Sequence, residues 1–528
     1  MDIMTLTITS VIYLAITVYL GYYGYKKTKN SLDYLVAGRN IHPFIMALSY
    51  GATFISTSAI VGFGGVAALY GMGLLWLTFL NIFVGIFIAF ICFGKRTRHI
   101  GHNLDVHTFP ELIGRRFQSP FMQSFSGLII FSAMPLYAAA VLIGAARFLE
   151  ATFHMDYNVA LLVYTLIVCA YVFAGGMKAV MYTDAFQAII MTIGMLLLLI
   201  FTYVKLGGVT AAHQALASIG NLVPEKFVKM GHLGWTNMPA FGSEIWWTLV
   251  STIVMGVGVG VLTQPQLAVR FMTVKSNKEL NRAVMVGGIF ILLMTGVAFT
   301  VGALSNAYFV NNPQFGKISI AVAEGNIDKI IPLYVNSAMP HWFVYIFMLT
   351  LLAAAMSTSS SQFHSMGTSF GRDFIERTFF KGQKSSLGMT RLGIVISVII
   401  TVVLGYKLPI SVIAVSTAIF FGMCASIFLP VFIGTLYFKW MTKTGAICSM
   451  LVGLFGSAGW MLFVHLKESN AIGFCKFVFS KPSVASFPWT VVDQLFVILP
   501  LSFLTAIIVS LLTKKPDQTH LNNCFKHI

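Results

Sequence analysis

Five consecutive hydroxyls, Ser357-Thr358-Ser359-Ser360-Ser361, follow the apolar run Leu349-Thr350-Leu351-Leu352-Ala353-Ala354-Ala355-Met356. A hydroxyl at bilayer depth gains nothing from lipid, so this run must face protein, water or a ligand. On a helix, Ala354, Ser357 and Thr358 stand at i, i+3 and i+4 and share one face. Two hydroxyls and a small residue there suit either a closely packed neighbouring helix or a cation that takes neutral oxygens. A second polar stretch, Ser49-Tyr50-Gly51-Ala52-Thr53-Phe54-Ile55-Ser56-Thr57-Ser58, is followed by Gly62, Gly64 and Gly65. It reads as a tight packing face or as a broken helix whose freed carbonyls serve a site. A third places Gly256, Gly258 and Gly260 before Thr263-Gln264-Pro265-Gln266. His364, just beyond the hydroxyls, reads as a satisfied structural histidine or as pathway lining. No H-E-x-x-H or C-x-x-C occurs, and no clustered His with carboxylates, which argues against an enzyme, a disulfide framework and a metal centre.

The elements that position these stretches are membrane helices. The chain has 528 residues, 57% hydrophobic and only 10% charged, with mean hydropathy +0.83. Apolar segments longer than about 18 residues recur throughout, so the fold class is an all-α polytopic membrane protein. The formal charge of +17 reflects Lys and Arg gathered in cytoplasmic connections, not a nucleic-acid partner. We expect thirteen spans, at about 5–25, 43–72, 74–94, 119–149, 157–174, 184–205, 243–272, 283–308, 342–370, 390–406, 410–437, 444–466 and 489–513. Basic residues fall on alternate turns: Lys26, Lys27, Lys29 and Arg39; Lys95, Arg96, Arg98, Arg115 and Arg116; Lys178; Arg270; Arg372, Arg377, Lys381 and Lys384; Lys439 and Lys443; Lys514 and Lys515. That pattern places the N-terminus outside and the C-terminus in the cytoplasm, in the plasma or inner membrane. The first helix lacks the basic start and small-residue cleavage site of a signal peptide.

Helices 2 and 7 are both over-long, rich in glycine and hydroxyls, and five spans apart, so they run in opposite directions. Two corresponding interrupted helices of opposite direction are the mark of an inverted repeat of five plus five helices. The expected organisation is a peripheral helix 1 and first loop (1–42), a first repeat (43–208), an external loop with short structure (209–242), a second repeat (243–438), and helices 12 and 13 with a short tail (439–528). Helix 9 would then lie across from helix 2. Carbonyls freed near Ala52 and Ile55 could meet Ala354, Ser357 and Thr358 in a neutral oxygen cage suited to Na⁺; close packing of small residues remains the other reading.

At these residues the chain resembles the sodium/solute symporter family. The pieces are Gly38-Arg39 with Ala47-Leu48-Ser49, Gly175-Gly176-Met177-Lys178-Ala179-Val180 with Thr183-Asp184 and Gln187, Gln264-Pro265 with Arg270-Phe271-Met272, and Ala354-Ala355-Met356-Ser357-Thr358. The resemblance implies a five-plus-five, LeuT-like fold and Na⁺ as the co-transported ion. It implies a sodium site made from carbonyls of Ala52, Ile55 and Ala354 and the hydroxyls of Ser357 and Thr358. Asp184 matches an acidic residue of the family. It serves a second ion or a gating network, for which Ser361 is a further candidate, or is an interfacial carboxylate paired with Lys178 or a nearby Arg. Arg39 matches a basic residue of the proline branch.

The solute is less defined. Where the proline branch carries Trp and Tyr on helix 7, this chain has Val257 and Val261, a departure that tells against proline. Ser56, Thr57, Tyr137, Val257, Val261 and Gln264 are the candidate solute contacts, with ordinary packing as the alternative for each. The expected activity is Na⁺-coupled symport, by alternating access, of a small carboxylate-bearing solute such as a monocarboxylate, pantothenate or an amino acid. The rivals are a membrane solute sensor on the same fold, sodium/proline symport proper and an ion channel. A sensor would continue into signalling domains, for which the tail is too short, and no repeated pore loop suggests a channel.

Overall fold

A computed structural model describes residues 3–153, 155–380, 387–408 and 413–526. Lys381, Lys384 and the expected start of helix 11 lie outside the described residues. Eleven helical runs among the described residues are long and apolar enough to cross a bilayer. Two of them are too long for one crossing. The run Tyr157–Lys205 has 49 residues, which at about 1.5 Å per residue is more than twice the hydrocarbon thickness. It is broken at Gly176 (φ 57°, ψ −148°). A side chain there would collide with the Tyr34 carbonyl, so only glycine fits both the backbone and the close approach. The 46-residue run Ser58–Asn103 is broken at Gly71 (φ 82°, ψ −162°). Reading each of these two runs as a pair of spans gives the thirteen expected from the sequence.

In chain order, helix 1 is Ile3–Lys27. Helix 2 is split into Pro43–Phe54 and a second half, Ser58–Gly62 running on through Phe63–Tyr70. Helix 3 starts with Leu75–Ile82 and continues to Asn103. Helix 4 is Pro120–Phe153, and helices 5 and 6 are the two parts of Tyr157–Lys205. Helix 7 begins at Glu244, ends at Thr263 and is followed, across extended Gln264, by Pro265–Ala268. Helix 8 is Asn277–Asn311; helix 9, His341–Gly367, continues to Phe379. Helices 10 to 13 are Leu387–Lys407, Ile413–Leu436, Lys443–Gly459 running on to Val464, and Leu495–Leu512. The 206–242 connection carries the short helices Val209–Ser218 and Glu225–Lys229, so the short structure expected in this connection is present.

Capping fixes where several helices start. Ser276 and Glu279 form a reciprocal capping box on helix 8, and Asp156 and Thr442 cap helices 5 and 12. Helix 9 is the hub, with 89% of its apolar window buried, against 22% and 28% for helices 12 and 13. It packs on helices 4, 5, 6 and 10 and on the first half of helix 2. The hydroxyl run therefore sits at the centre of the protein and away from lipid.

The glycines of helices 2 and 7 allow backbone-to-backbone contact. A side chain at Gly302 of helix 8 would overlap the Gly64 carbonyl, and one at Gly260 would overlap the Phe421 carbonyl of helix 11. The packing reading of these glycines therefore holds, and helix 2 is broken as well.

Candidate functional site

Helix 2 stops at Phe54 because Ile55 turns to extended backbone (φ −92°, ψ 103°). The last carbonyls of its first half then lose their helical partners and need others. Helix 9 provides them. The Ser357 hydroxyl lies 2.9 Å from the Ala52 carbonyl, 2.9 Å from the Ala353 carbonyl and 3.2 Å from the Ala354 carbonyl. The Thr358 hydroxyl lies 3.5 Å from the Ala52 carbonyl and 3.2 Å from that of Thr53. All of these residues are buried. The result is a cluster of neutral oxygens with two movable protons and no fixed positive charge. A small cation entering it would take over from those protons as the charge the oxygens share. Ile55 stands at the break, and neither hydroxyl hydrogen-bonds to its carbonyl.

Below this cluster lies a buried ion pair. Arg270 Nη2 is 2.8 Å from Asp184 Oδ2, with both side chains 0% exposed. Such a pair is tolerated only when its remaining hydrogen-bonding capacity is met, and here it is. Ser49 donates to Asp184 at 2.8 Å and accepts from Arg270 Nε at 3.0 Å. Thr53 donates to Asp184 at 3.1 Å, and Ser360 donates to the other carboxylate oxygen at 3.2 Å. Ser361 accepts from Arg270 at 2.6 Å and lies 2.8 Å from the Thr53 hydroxyl. Arg270 also donates to the Gln266 carbonyl. Thr53 therefore touches both groups, its carbonyl bonded to Thr358 and its hydroxyl to Asp184. Of the partners expected for Asp184, Lys178 or a nearby Arg, it is an arginine, Arg270, that pairs with it; Lys178 pairs instead with Asp33 at 2.6 Å. Arg39 bridges to Asp105 and the Val106 carbonyl. His364 is buried and bonds through Nε2 to the Tyr34 carbonyl. It also lines, with Ser361 and Thr108, a small cavity of about 10 Å³ on the side of the basic connections.

On the other flank of the helix 2 break is a cavity of about 20 Å³, room for about one water. Ile55, Ser56, Tyr137 and Val257 line it, together with Asn81, Thr295, Phe299 and Phe421. The Asn81 side-chain oxygen, Oδ1, is buried without a hydrogen-bond partner, a demand that a bound polar group or water would meet. Three other candidates stand away from this wall. Thr57 is buried with its hydroxyl unpartnered. Val261 packs near Gly85 and Phe54. Gln264 donates to the Gly260 carbonyl at 3.1 Å. Sequence reasoning missed Asn81, Thr53 and the role of Arg270. A lone Asn in mid-span of helix 3 was a usable signal, because an unpartnered amide is as costly in the bilayer as a hydroxyl.

The model of the Sodium:solute symporter family matches residues 34–453. Among relatives, the Sodium/proline symporter 2 of Staphylococcus saprophyticus is 28% identical over 470 residues, 86% of this chain and 85% of that one. The Sodium/pantothenate symporter of Haemophilus influenzae is 28% identical over 433 residues, 81% of this chain and 84% of that one. The Osmoregulated proline transporter OpuE of Bacillus subtilis is 27% identical over 514 residues, 96% of this chain and 94% of that one. In fold, the chain is similar to a solved Na⁺-coupled sialic acid symporter in a substrate-bound outward-open state. That match has a TM-score of 0.73 at 18% identity and covers 96% of this chain and 97% of that one. These relatives are transporters, and the match takes in both interrupted helices, the Asp184–Arg270 pair and the helix 9 hydroxyls. The chain belongs to the sodium:solute symporter family, and is an integral membrane transporter that couples a solute to Na⁺.

Proposed function

We propose that Na⁺ binds where helix 9 meets the break in helix 2, and that it drives symport of a small carboxylate-bearing solute held in the adjoining cavity. The observation that carries this reading is the approach of the Ser357 hydroxyl to the Ala52 carbonyl at 2.9 Å across 305 residues of sequence. Ala52, Ala354, Ser357 and Thr358 contribute the ion's oxygens, with Ile55 joining as the broken segment adjusts. The solute lies against Ser56, Tyr137, Val257 and Asn81. Among the described residues, no cationic side chain lines that cavity, so a carboxylate would be met by the positive end of the second half of helix 2. Val257 makes this wall smoother than an aromatic ring would. We therefore favour a monocarboxylate, pantothenate or another amino acid over proline, although two of the relatives named above carry proline in their names.

A cavity of about 20 Å³ admits no such solute, so the bundle must open on each side in turn. Asp184, with Ser360 and Ser361, is the next polar station towards the basic face. It serves as a second ion position or as the gate that Arg270 holds shut. The basic connections support a cytoplasmic position for that face, with the N-terminus outside. One Na⁺ crossing 100 mV inward releases about 2.3 kcal/mol, and a tenfold sodium gradient adds about 1.4 kcal/mol. Together these sustain roughly 500-fold accumulation of a zwitterion at 1:1 coupling. A monoanion carried 1:1 forfeits the electrical part and needs a second Na⁺ for the same effect.

The test is uptake by proteoliposomes of a panel of monocarboxylates, pantothenate and amino acids, with Na⁺, Li⁺ or K⁺ outside. The proposal expects one panel member to accumulate with Na⁺ and not with K⁺. Equal uptake of that member in K⁺ would overturn the coupling. Failure of every panel member to accumulate with Na⁺ would overturn the solute class.

A further inference from the structure

The largest of the cavities described here lies far from the transport pathway. About 760 Å³ in volume, it opens on the face of the basic connections. Its walls come from three parts of the chain that are remote in sequence. The connection between helices 3 and 4 supplies Arg115 and Gln118, the end of helix 9 supplies Arg377, and the tail supplies His520, Asn523 and Lys526. Among the described residues, no carboxylate lines it.

The tail is built into this place. Its short helix, Gln518–Cys524, seats Leu521 and Cys524 in the core. Asn103 donates to the Cys524 and Lys526 carbonyls at 3.1 and 2.9 Å, and His520 Nε2 meets the Arg115 carbonyl at 3.0 Å. Behind the wall, Arg116 is 1% exposed. Its guanidinium lies 4.9 and 5.3 Å from the Phe117 and Phe525 ring centres. Its Nε has no hydrogen-bond partner, and no carboxylate reaches it among the described residues. Burial pulls its pKa down to about 10, the response of a cation short of negative neighbours. Glu111 pairs with Arg115 at 2.5 Å but is shared with Arg372 at 3.3 Å. Arg377 and Lys526 have no ion-pair partner among the described residues. The positive charge here is therefore undercompensated, and it surrounds a space too large for a single carboxylate.

We propose that this cavity binds a phosphate-bearing anion, held by Arg377, Lys526 and Arg115 with the amides of Gln118 and Asn523 as further donors. Guanidinium forks pair with phosphate oxygens two at a time, and an ammonium adds a point charge. Helix 4 enters the apolar region at Ser119 and Pro120, on the cavity wall. Phe121, next to Pro120, and Phe379, two residues beyond Arg377, are 53% and 68% exposed, apolar surface of the kind that meets lipid. The phosphate then belongs either to a lipid headgroup entering from the bilayer or to a soluble compound entering from the aqueous side. Either one would join the tail to the end of helix 9.

The test uses the purified full chain in detergent at fixed ionic strength. Binding of inorganic phosphate and glycerol 1-phosphate is followed by thermophoresis, and binding of phosphatidylglycerol against phosphatidylcholine by native mass spectrometry. The paired variant Arg377→Gln/Lys526→Gln removes two charges that make no ion pair, so an unchanged melting temperature is expected. We expect at least one phosphate compound to bind the parent chain, and the paired variant to bind it about 30-fold more weakly. Arg377→Lys/Lys526→Arg should retain binding. Loss confined to phosphatidylglycerol identifies a lipid headgroup, and loss with the soluble phosphates identifies a soluble ligand. Equal binding by the parent and the paired glutamine variant would overturn the proposal. So would binding of phosphatidylglycerol no tighter than phosphatidylcholine together with no binding of either soluble phosphate.

Discussion

Asp184→Asn should destabilise the protein more than the double change Asp184→Asn/Arg270→Gln. The pair is fully buried, and Asp184 accepts from Arg270, Ser49, Thr53 and Ser360. Asparagine keeps the shape but removes the charge, and it points an amide NH₂ at groups that already donate. Arg270 is then a buried cation without a counter-charge, at a cost of about 3–5 kcal/mol. Replacing both partners removes the charge problem and leaves two amides able to bond each other. The double variant should then recover at least about 2 kcal/mol of that loss. Apparent melting temperatures from tryptophan fluorescence in detergent, at one scan rate and without Na⁺, rank the four proteins. If Asp184→Asn melts with the parent, or the double variant melts below it by the sum of the single losses, the pair is not coupled as described.

Three further outcomes follow from the same geometry. Ser357→Ala and Thr358→Ala each remove one oxygen of the proposed Na⁺ site. Each loss of about 1.5–3 kcal/mol should raise the Na⁺ concentration for half-saturation about 10- to 150-fold, as read by protection against thermal unfolding in NaCl against KCl. Val257→Trp fills the small cavity beside Tyr137, and should abolish uptake of the solute identified in the panel while Na⁺ protection persists; retained uptake would remove Val257 from the solute wall. On the basic face, burial alone would raise the Glu111 pKa, but the bond from His107 and the charges of Arg372 and Arg115 outweigh it and hold the carboxyl at about 2. A depressed pKa contributes stability above the unfolded value near 4.5 and loses it as pH falls towards about 2. Glu111→Gln should therefore melt below the parent at pH 7, with the gap narrowing from about pH 4.5 downward.

The sequence displayed its interruptions more clearly than its pairings. Hydroxyls and glycines stand out in membrane helices because lipid tolerates neither an orphan polar group nor a wasted packing surface. The break at Ile55 and the burial of Ser357 and Thr358 were therefore legible from residue type. The partner of Asp184 was not, since Arg270 lies 86 residues away on another helix, and positive-inside counting accounts for an Arg there without any contact. The cavity walls were hidden for a different reason. In a soluble helix the polar face reveals the core-facing one, but here the lipid-facing and protein-facing sides of helices 8 and 11 are both apolar. Thr295, Phe299 and Phe421 carry no periodic sign of facing the centre. Asn81 did, and was overlooked among its apolar neighbours.

The central claim is that two helix 9 hydroxyls and the broken end of helix 2 hold the coupling ion. Its most direct test is equilibrium binding of radioactive sodium to the purified protein, with unlabelled NaCl, LiCl or KCl as competitor and no solute present. Saturable binding that NaCl displaces and KCl does not is expected, and Ser357→Ala/Thr358→Ala should lose it while its melting temperature in KCl stays close to the parent's. Undiminished sodium binding by that folded double variant would contradict it.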